Sequence, residues 1–235
     1  DITVRTDTGF LPCDERNLAF QAAKKLQQLF RKNEGVEITI DKNIPVSAGM
    51  GGGSSDAAAV LRGLNKLWNL SLEKSQLAKI GLEIDSDVPF CIYSEPALVT
   101  GKGEIITPIG DLEPMCLVIA KPHDSVSTPS ILKKIDYSKI VHQNVDGVLD
   151  AISKRDYTEM TKKMGNALEP ITAKRHPDIW KIKQKMLNFG CDAAQMSGSG
   201  PTVFGVCRKY QRAVRVYNGP VSYTHLRAHE TRRHL

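Results

Sequence analysis

Pro45-Val46-Ser47-Ala48-Gly49-Met50-Gly51-Gly52-Gly53-Ser54-Ser55-Asp56 runs without interruption into Ala57-Ala58-Ala59-Val60-Leu61, and the fold turns on how this stretch is read. Ahead of it, Val36-Glu37-Ile38-Thr39-Ile40 alternates apolar and polar residues as a strand does. Behind it, Ala57, Val60, Leu61, Leu64, Leu67 and Trp68 recur at the spacing of one buried helix face, which predicts a helix over 54–70. Glycines have no Cβ, so the backbone can curl tightly and come close to a ligand. The helix that follows leaves its first N–H groups unpaired, and its dipole turns partial positive charge toward the loop. Strand, glycine loop and helix start, in that order, make a cradle for phosphate. A glycine linker is the plain alternative, and four glycines closed by two serines between strand and helix speak against it.

Two common phosphate loops do not fit. The Walker A pattern ends in Gly-Lys-Ser/Thr, whereas no lysine lies between Lys42 and Lys66. In the dinucleotide fingerprint, counted from Gly49, the third glycine would have to stand where Ser54 does.

The rest of the chain bounds the class of protein. At 235 residues it can hold one or two domains with a real core. Its 41% apolar and 25% charged residues are those of an ordinary soluble protein. No apolar run approaches the roughly 20 residues a membrane helix needs, and nothing at the start reads as a signal peptide. Cys13, Cys91, Cys116, Cys191 and Cys207 lie far apart without metal-ligand spacing, so reduced thiols and a cytoplasmic location are expected. The net charge of +6 is scattered along helices with no basic run interleaved with aromatics. That argues against nucleic acid as a partner and suits a small anionic substrate.

Helical spacing over 14–32 puts Leu18, Ala22, Leu26, Leu29 and Phe30 on one face, with Asp14 placed to cap it. Ser71 is the expected cap of a short helix that follows, and Pro89 marks a bend, a helix start or an edge strand. Val99 to Ile106 reads as a hairpin turned by Gly101 and Gly103. A second unit is expected from about Pro114, opening with the buried strand Cys116-Leu117-Val118-Ile119-Ala120. Thr128 is the expected cap of a helix with Pro129 at its first position. Helical stretches follow over 145–152, 156–168 and 177–189, the last stopped by Gly190. Ala193-Ala194-Gln195-Met196, the turn Ser197-Gly198-Ser199-Gly200 and the strand 202–206 complete the pattern. Strands and helices interleave without strict alternation, which points to a two-domain α+β architecture.

Pro45-x-x-x-Gly49-x-Gly51-Gly52-Gly53-Ser54-Ser55 before an alanine-rich helix resembles the signature of the GHMP kinases, which phosphorylate sugars, homoserine, mevalonate and related alcohols. The resemblance implies that residues 45–55 wrap the phosphates of ATP, with Ser54 or Ser55 the hydroxyl nearest a magnesium ion. It also implies a ribosomal protein S5 domain 2-like N-terminal domain over 1–113 and a ferredoxin-like C-terminal domain over 114–219.

Phosphorylating an alcohol takes phosphate positioning, charge neutralisation and a group that orients or deprotonates the hydroxyl. Asp87, in Ser86-Asp87-Val88-Pro89-Phe90, heads an apolar run where an unpaired buried carboxylate would be costly. By its position alone it could be a capping or turn aspartate; the resemblance makes it the catalytic base. Asp85 stands where these kinases usually carry a small residue, and on an extended chain it would point the same way as Asp87. There it could raise the pKa of Asp87 or simply face solvent. Ser197-Gly198-Ser199-Gly200 resembles the family's third motif, a turn closing over the nucleotide site, and Thr128 falls at a substrate-side threonine. Asn166-Ala167-Leu168-Glu169-Pro170 also matches a family segment and is read as structural.

Asp14 to Ala19 and Leu61 to Asn65 carry the likeness to the branch that phosphorylates the 2-hydroxyl of 4-diphosphocytidyl-2-C-methyl-D-erythritol, a step of non-mevalonate isoprenoid biosynthesis. A homoserine or mevalonate type of kinase, or a non-catalytic nucleotide-binding relative, stands as the alternative. Two departures accompany the likeness. The family's opening Ala-Lys-Ile-Asn-Leu and Gly-Tyr-His segments have no counterpart from Asp1 onward, and the expectation is an N-terminally truncated kinase, with an inactive fragment as its alternative. Residues 220–235 leave the family pattern and are expected to be a foreign tail. In that tail Glu230 follows His229 instead of His225, so the zincin arrangement fails.

Overall fold

The computed structural model describes residues 1–136, 138–219 and 227–232, the last stretch by its backbone alone. Two compact units form: Asp1–Val46 with Gly51–Gly110, and Ser47–Met50 with Asp111–Leu235. Among the described residues no helix is long and apolar enough to cross a membrane.

In the first unit Ile2–Thr6 (β1) is followed by helix Leu18–Leu29 (α1) and then Val36–Ile40 (β2). β2 lies parallel to β1, with Val4 opposite Ile38. Parallel neighbours need a crossover, and α1 supplies it. Helices Gly52–Leu67 (α2), Lys74–Leu82 (α3) and Val88–Tyr93 (α4) come next. Ala97–Thr100 (β3) and Ile105–Pro108 (β4) then pair as the expected antiparallel hairpin. The core of this unit is narrow because alanine builds it. Ala22, Ala23, Ala57 and Ala58 are fully buried beside Leu26, Leu61 and Val88, so the helix backbones approach closely. Leu29 and Leu67, expected on the inner faces, are therefore 52% and 65% exposed.

Three expected caps are corrected. Asp14 accepts from the backbone N–H and guanidinium of Arg16. That guanidinium holds its carboxyl at about 2, below the usual carboxylate range. Asn17 instead caps α1, accepting from the Ala19 N–H at 2.9 Å. Ser71 takes a left-handed backbone (φ 56°), and Glu73 caps α3 with the Gln76 side chain accepting its N–H at 2.9 Å. Pro89 marks a helix start, in the first turn of α4. The third cap, Thr128, belongs to the second unit.

That unit runs Cys116–Lys121 (β5), Thr128–Leu132 (α5), Val145–Ser153 (α6), Tyr157–Lys163 (α7), Glu169–Ala173 (α8) and Asp178–Phe189 (α9). Ala193–Met196 (β6), Val203–Cys207 (β7), Tyr210–Asn218 (α10) and Arg227–Arg232 (β8) complete it. The antiparallel sheet has the order β6-β7-β5-β8. Alternate residues go to opposite faces. Val118, Ala120 and Val203 meet Ile179, Ile182 and Met186 of α9 and Val216 of α10. Leu117, Phe204 and Val206 meet Ala151, Tyr157 and Met160 of α6 and α7. Ser127, not Thr128, is the N-cap of α5. The helix expected over 156–168 ends at Lys163, where Met164 turns extended (ψ 141°), and α8 and α10 were not anticipated. Of the tail expected to be foreign, 227–232 forms β8 beside β5, while 220–226 and 233–235 lie outside the described residues.

Candidate active site

The glycine loop curls because every second residue has a positive φ: Ser47 (51°), Gly49 (71°) and Gly51 (62°). Such alternation turns successive N–H groups inward into an anion-binding concavity. α2 begins at Gly52, two residues before the expected start, so Gly52, Gly53 and Ser54 carry its first, unpaired N–H groups. Gly51 is the N-cap and brings no side chain to those donors. Beneath the loop, Lys42 Nζ pairs with the Asp56 carboxylate at 2.5 Å, its side chain only 5% exposed. A Cβ at Gly52 would stand 2.9 Å from Ile44 Cγ2 and 3.1 Å from Lys42 Nζ, so a side chain there would crowd this ion pair. Lys42 escaped the sequence reading because a lone lysine in a loop carries no periodic signal.

Asp87 is the N-cap of α4, yet its side chain makes no capping hydrogen bond. A cap side chain normally accepts from the second or third helical N–H, and Pro89 at the second position has none. The carboxyl therefore stays uncommitted at the head of the helix. Two contacts seat it. Val88 packs on Gly81 of α3, where a Cβ would come within 2.5 Å of Val88 Cγ1. At Gly103 of the hairpin, a Cβ would fall on the Ser86 carbonyl oxygen.

Asp85 and Asp87 do not lie on an extended chain as expected. Val88 N–H donates to the Asp85 carbonyl at 3.2 Å, closing a turn. Within it, Asp85 Oδ1 accepts from Ser54 Oγ at 2.8 Å and from the Asp87 N–H at 3.0 Å. Ser54 is 5% exposed, so its hydroxyl is satisfied by this bond. Asp87 is open to solvent on one side and walled by protein on the other. That partial desolvation, and next the charge of Asp85, raises its carboxyl above the ordinary 3.8.

The remaining candidates lie in the second unit. Ser197 to Gly200 is a tight turn, Gly200 N–H donating to the Ser197 carbonyl at 2.9 Å. Ser197 Oγ donates to the Gly49 carbonyl at 2.7 Å, and a Cβ on Gly49 would fall on the Ser197 carbonyl oxygen. Thr128 Oγ1 shares a 2.7 Å hydrogen bond with Ser199 Oγ, and Thr172 Oγ1 donates to the Ser199 carbonyl at 3.2 Å. The segment read as structural holds this turn from below. Asn166 Nδ2 donates to the carbonyls of Met196 (2.7 Å) and Gly198 (2.8 Å), which draws it out of helix. Buried Glu169 accepts from Met196 N–H at 2.9 Å and from Lys183 Nζ at 2.5 Å. Glu169 lies in the segment read as structural, whereas no local signal in the sequence marked its partner Lys183.

Among the described residues no three histidine, cysteine or acidic side chains gather as a metal site. The donors beside the loop still suit a hard cation that takes most of its ligands from phosphate and water. Ser54, whose O–H donates to Asp85, turns its oxygen lone pairs away from that bond and leaves them for such a cation.

Residues 17–95 match the GHMP kinases N terminal domain, and residues 148–220 match GHMP kinases C terminal. The chain is 68% identical over 218 residues to the 4-diphosphocytidyl-2-C-methyl-D-erythritol kinase of Ligilactobacillus salivarius, covering 93% of this chain and 75% of that one. A crystal structure of 4-(cytidine 5'-diphospho)-2C-methyl-D-erythritol kinase superposes with TM-score 0.78 at 26% identity, covering 98% of this chain and 82% of the other. A homoserine kinase from Cytophaga hutchinsonii superposes with TM-score 0.83 at 19% identity, covering 98% of this chain and 81% of that chain. This last likeness is one of fold.

Proposed function

Because this chain belongs to the GHMP kinase family, we propose that it transfers the γ-phosphate of ATP to the 2-hydroxyl of 4-diphosphocytidyl-2-C-methyl-D-erythritol. The choice of alcohol rests on the 68% identity to a kinase named for it. The chemistry rests on Asp87, a helix-cap carboxylate whose capping bond is missing and whose pKa burial raises.

Residues 45–55 hold the nucleotide, the N–H groups of Gly52, Gly53 and Ser54 facing its phosphates. Asp87 accepts the proton of the 2-hydroxyl as that oxygen bonds to the γ-phosphorus and the bond to the β-γ bridging oxygen breaks, releasing ADP. Ser54 or Ser55 would hold magnesium, which would supply charge neutralisation at the phosphates when bound. Thr128 and the turn Ser197 to Gly200 serve the substrate side or close over the nucleotide. We retain 1–113 as the ATP-binding domain, 114–219 as the second domain and 220–235 as a tail outside the family pattern. The five cysteines, far apart in sequence and without metal-ligand spacing, support a cytoplasmic location.

The testing variant is Asp87→Ala. Turnover should fall by about a hundredfold to ten-thousandfold while ATP affinity stays nearly unchanged. Retained turnover, or ATP binding lost with it, would remove Asp87 from this role.

A further inference from the structure

Asp85 meets both halves of the proposed chemistry through one atom. Its Oδ1 accepts from Ser54 Oγ in the first turn of α2 and from the backbone N–H of Asp87. Ser54 and Asp85 are 31 residues apart in sequence, and all three residues lie in the first unit.

We propose that Asp85 is a positioning residue that locks the phosphate loop to the base, setting Asp87 in register with the start of α2. The inference rests on the kinase reading for its consequence and on geometry for its existence. Two donors converge on one carboxylate oxygen, so neither can move without straining the other bond. The Ser54 hydroxyl, nearly without solvent, has its proton directed at Asp85 and its lone pairs left for a cation or ligand. The Asp87 N–H, pinned to the same oxygen, fixes the backbone from which the base projects. In-line transfer is sensitive to such placement, since a misplacement of about 1 Å can cost about a hundredfold in rate.

The test compares Asp85→Ala with Asp85→Asn in the full chain. Alanine removes the acceptor, whereas asparagine keeps an oxygen that can accept from both donors. Asp85→Ala should lower kcat by about tenfold to a hundredfold and move KM for ATP and for the alcohol by less than about threefold. Asp85→Asn should restore most of kcat. Equal losses in both variants, an unchanged kcat in Asp85→Ala, or a loss confined to KM would overturn the proposal. Amide hydrogen exchange is the second readout and needs no turnover. Exchange at the Asp87 N–H should quicken by about tenfold or more in Asp85→Ala and stay near the parent value in Asp85→Asn. Unchanged exchange in the alanine variant contradicts the lock. A chain that transfers no phosphate but shows the exchange difference would retain the lock and lose the kinase reading.

Discussion

Asp87 carries opposed demands that can be measured at one residue. A base must be ionised to act, so kcat/KM should fall on the acid side with a midpoint above the ordinary carboxylate value of 3.8. Asp85→Asn removes one of the two causes of the shift and should move that midpoint down. The same shift has a cost in stability. A carboxyl whose folded pKa is raised favours folding fully below its unfolded value, about 3.9, and loses that contribution as pH rises through the folded value. Asp87→Asn should therefore raise the unfolding temperature at neutral pH and bring no gain near pH 3, as thermal melts at the two pH values would read. The residue itself was legible through the resemblance of Ser-Asp-Val-Pro-Phe to the family pattern; its position alone left a capping or turn aspartate open, and the missing capping bond shows only in the structure. Asp85 was legible only as a neighbour of Asp87. Its partner Ser54 lies 31 residues back, and no local pattern encodes a contact of that range.

At the level of elements, the loop and the third-motif turn depend on glycines for different reasons. Gly51 has open space around it and only its φ of 62° to satisfy, so Gly51→Ala should cost about 1 kcal/mol of strain. Gly49→Ala should cost more, since the same left-handed strain is joined by a clash with the Ser197 carbonyl. Gly52→Val should push into Ile44 and the Lys42–Asp56 pair and weaken ATP binding by about tenfold or more, read by titration calorimetry. Glu169→Ala would strand Lys183 and the Met196 N–H and should destabilise by about 3–5 kcal/mol, seen as a lower denaturant midpoint. Where alternation or a glycine turn carries the signal, the element was readable: β2 and the hairpin around Gly101 and Gly103 fall where the pattern placed them. The caps at Asp14, Ser71 and Thr128 were misassigned because several polar residues compete near each helix start. Asp14 is drawn to Arg16 and Thr128 to Ser199, contacts that the capping pattern does not contain.

The whole molecule is two compact units, each with its own core. In the first, stacked alanines bring the helix backbones together and hold α2 and the head of α4 within one unit. In the second, a four-stranded antiparallel sheet carries helices on both faces, and buried polar clamps fix the Ser197 to Gly200 turn. The two-part α+β plan was legible from the order of strand, glycine loop, helices and a second buried strand. Of the clamps, the segment 166–170 was legible as structural but its partners were not, since Asn166 and Glu169 act on residues about thirty positions downstream. The most direct measurement is to incubate the full chain with ATP, magnesium and 4-diphosphocytidyl-2-C-methyl-D-erythritol and follow phosphorus by NMR, with homoserine and mevalonate in parallel. The account predicts a new phosphomonoester signal and matching ADP with the cytidyl alcohol alone. Transfer to homoserine or mevalonate instead, or ATP bound and nothing transferred to any of the three, would contradict it.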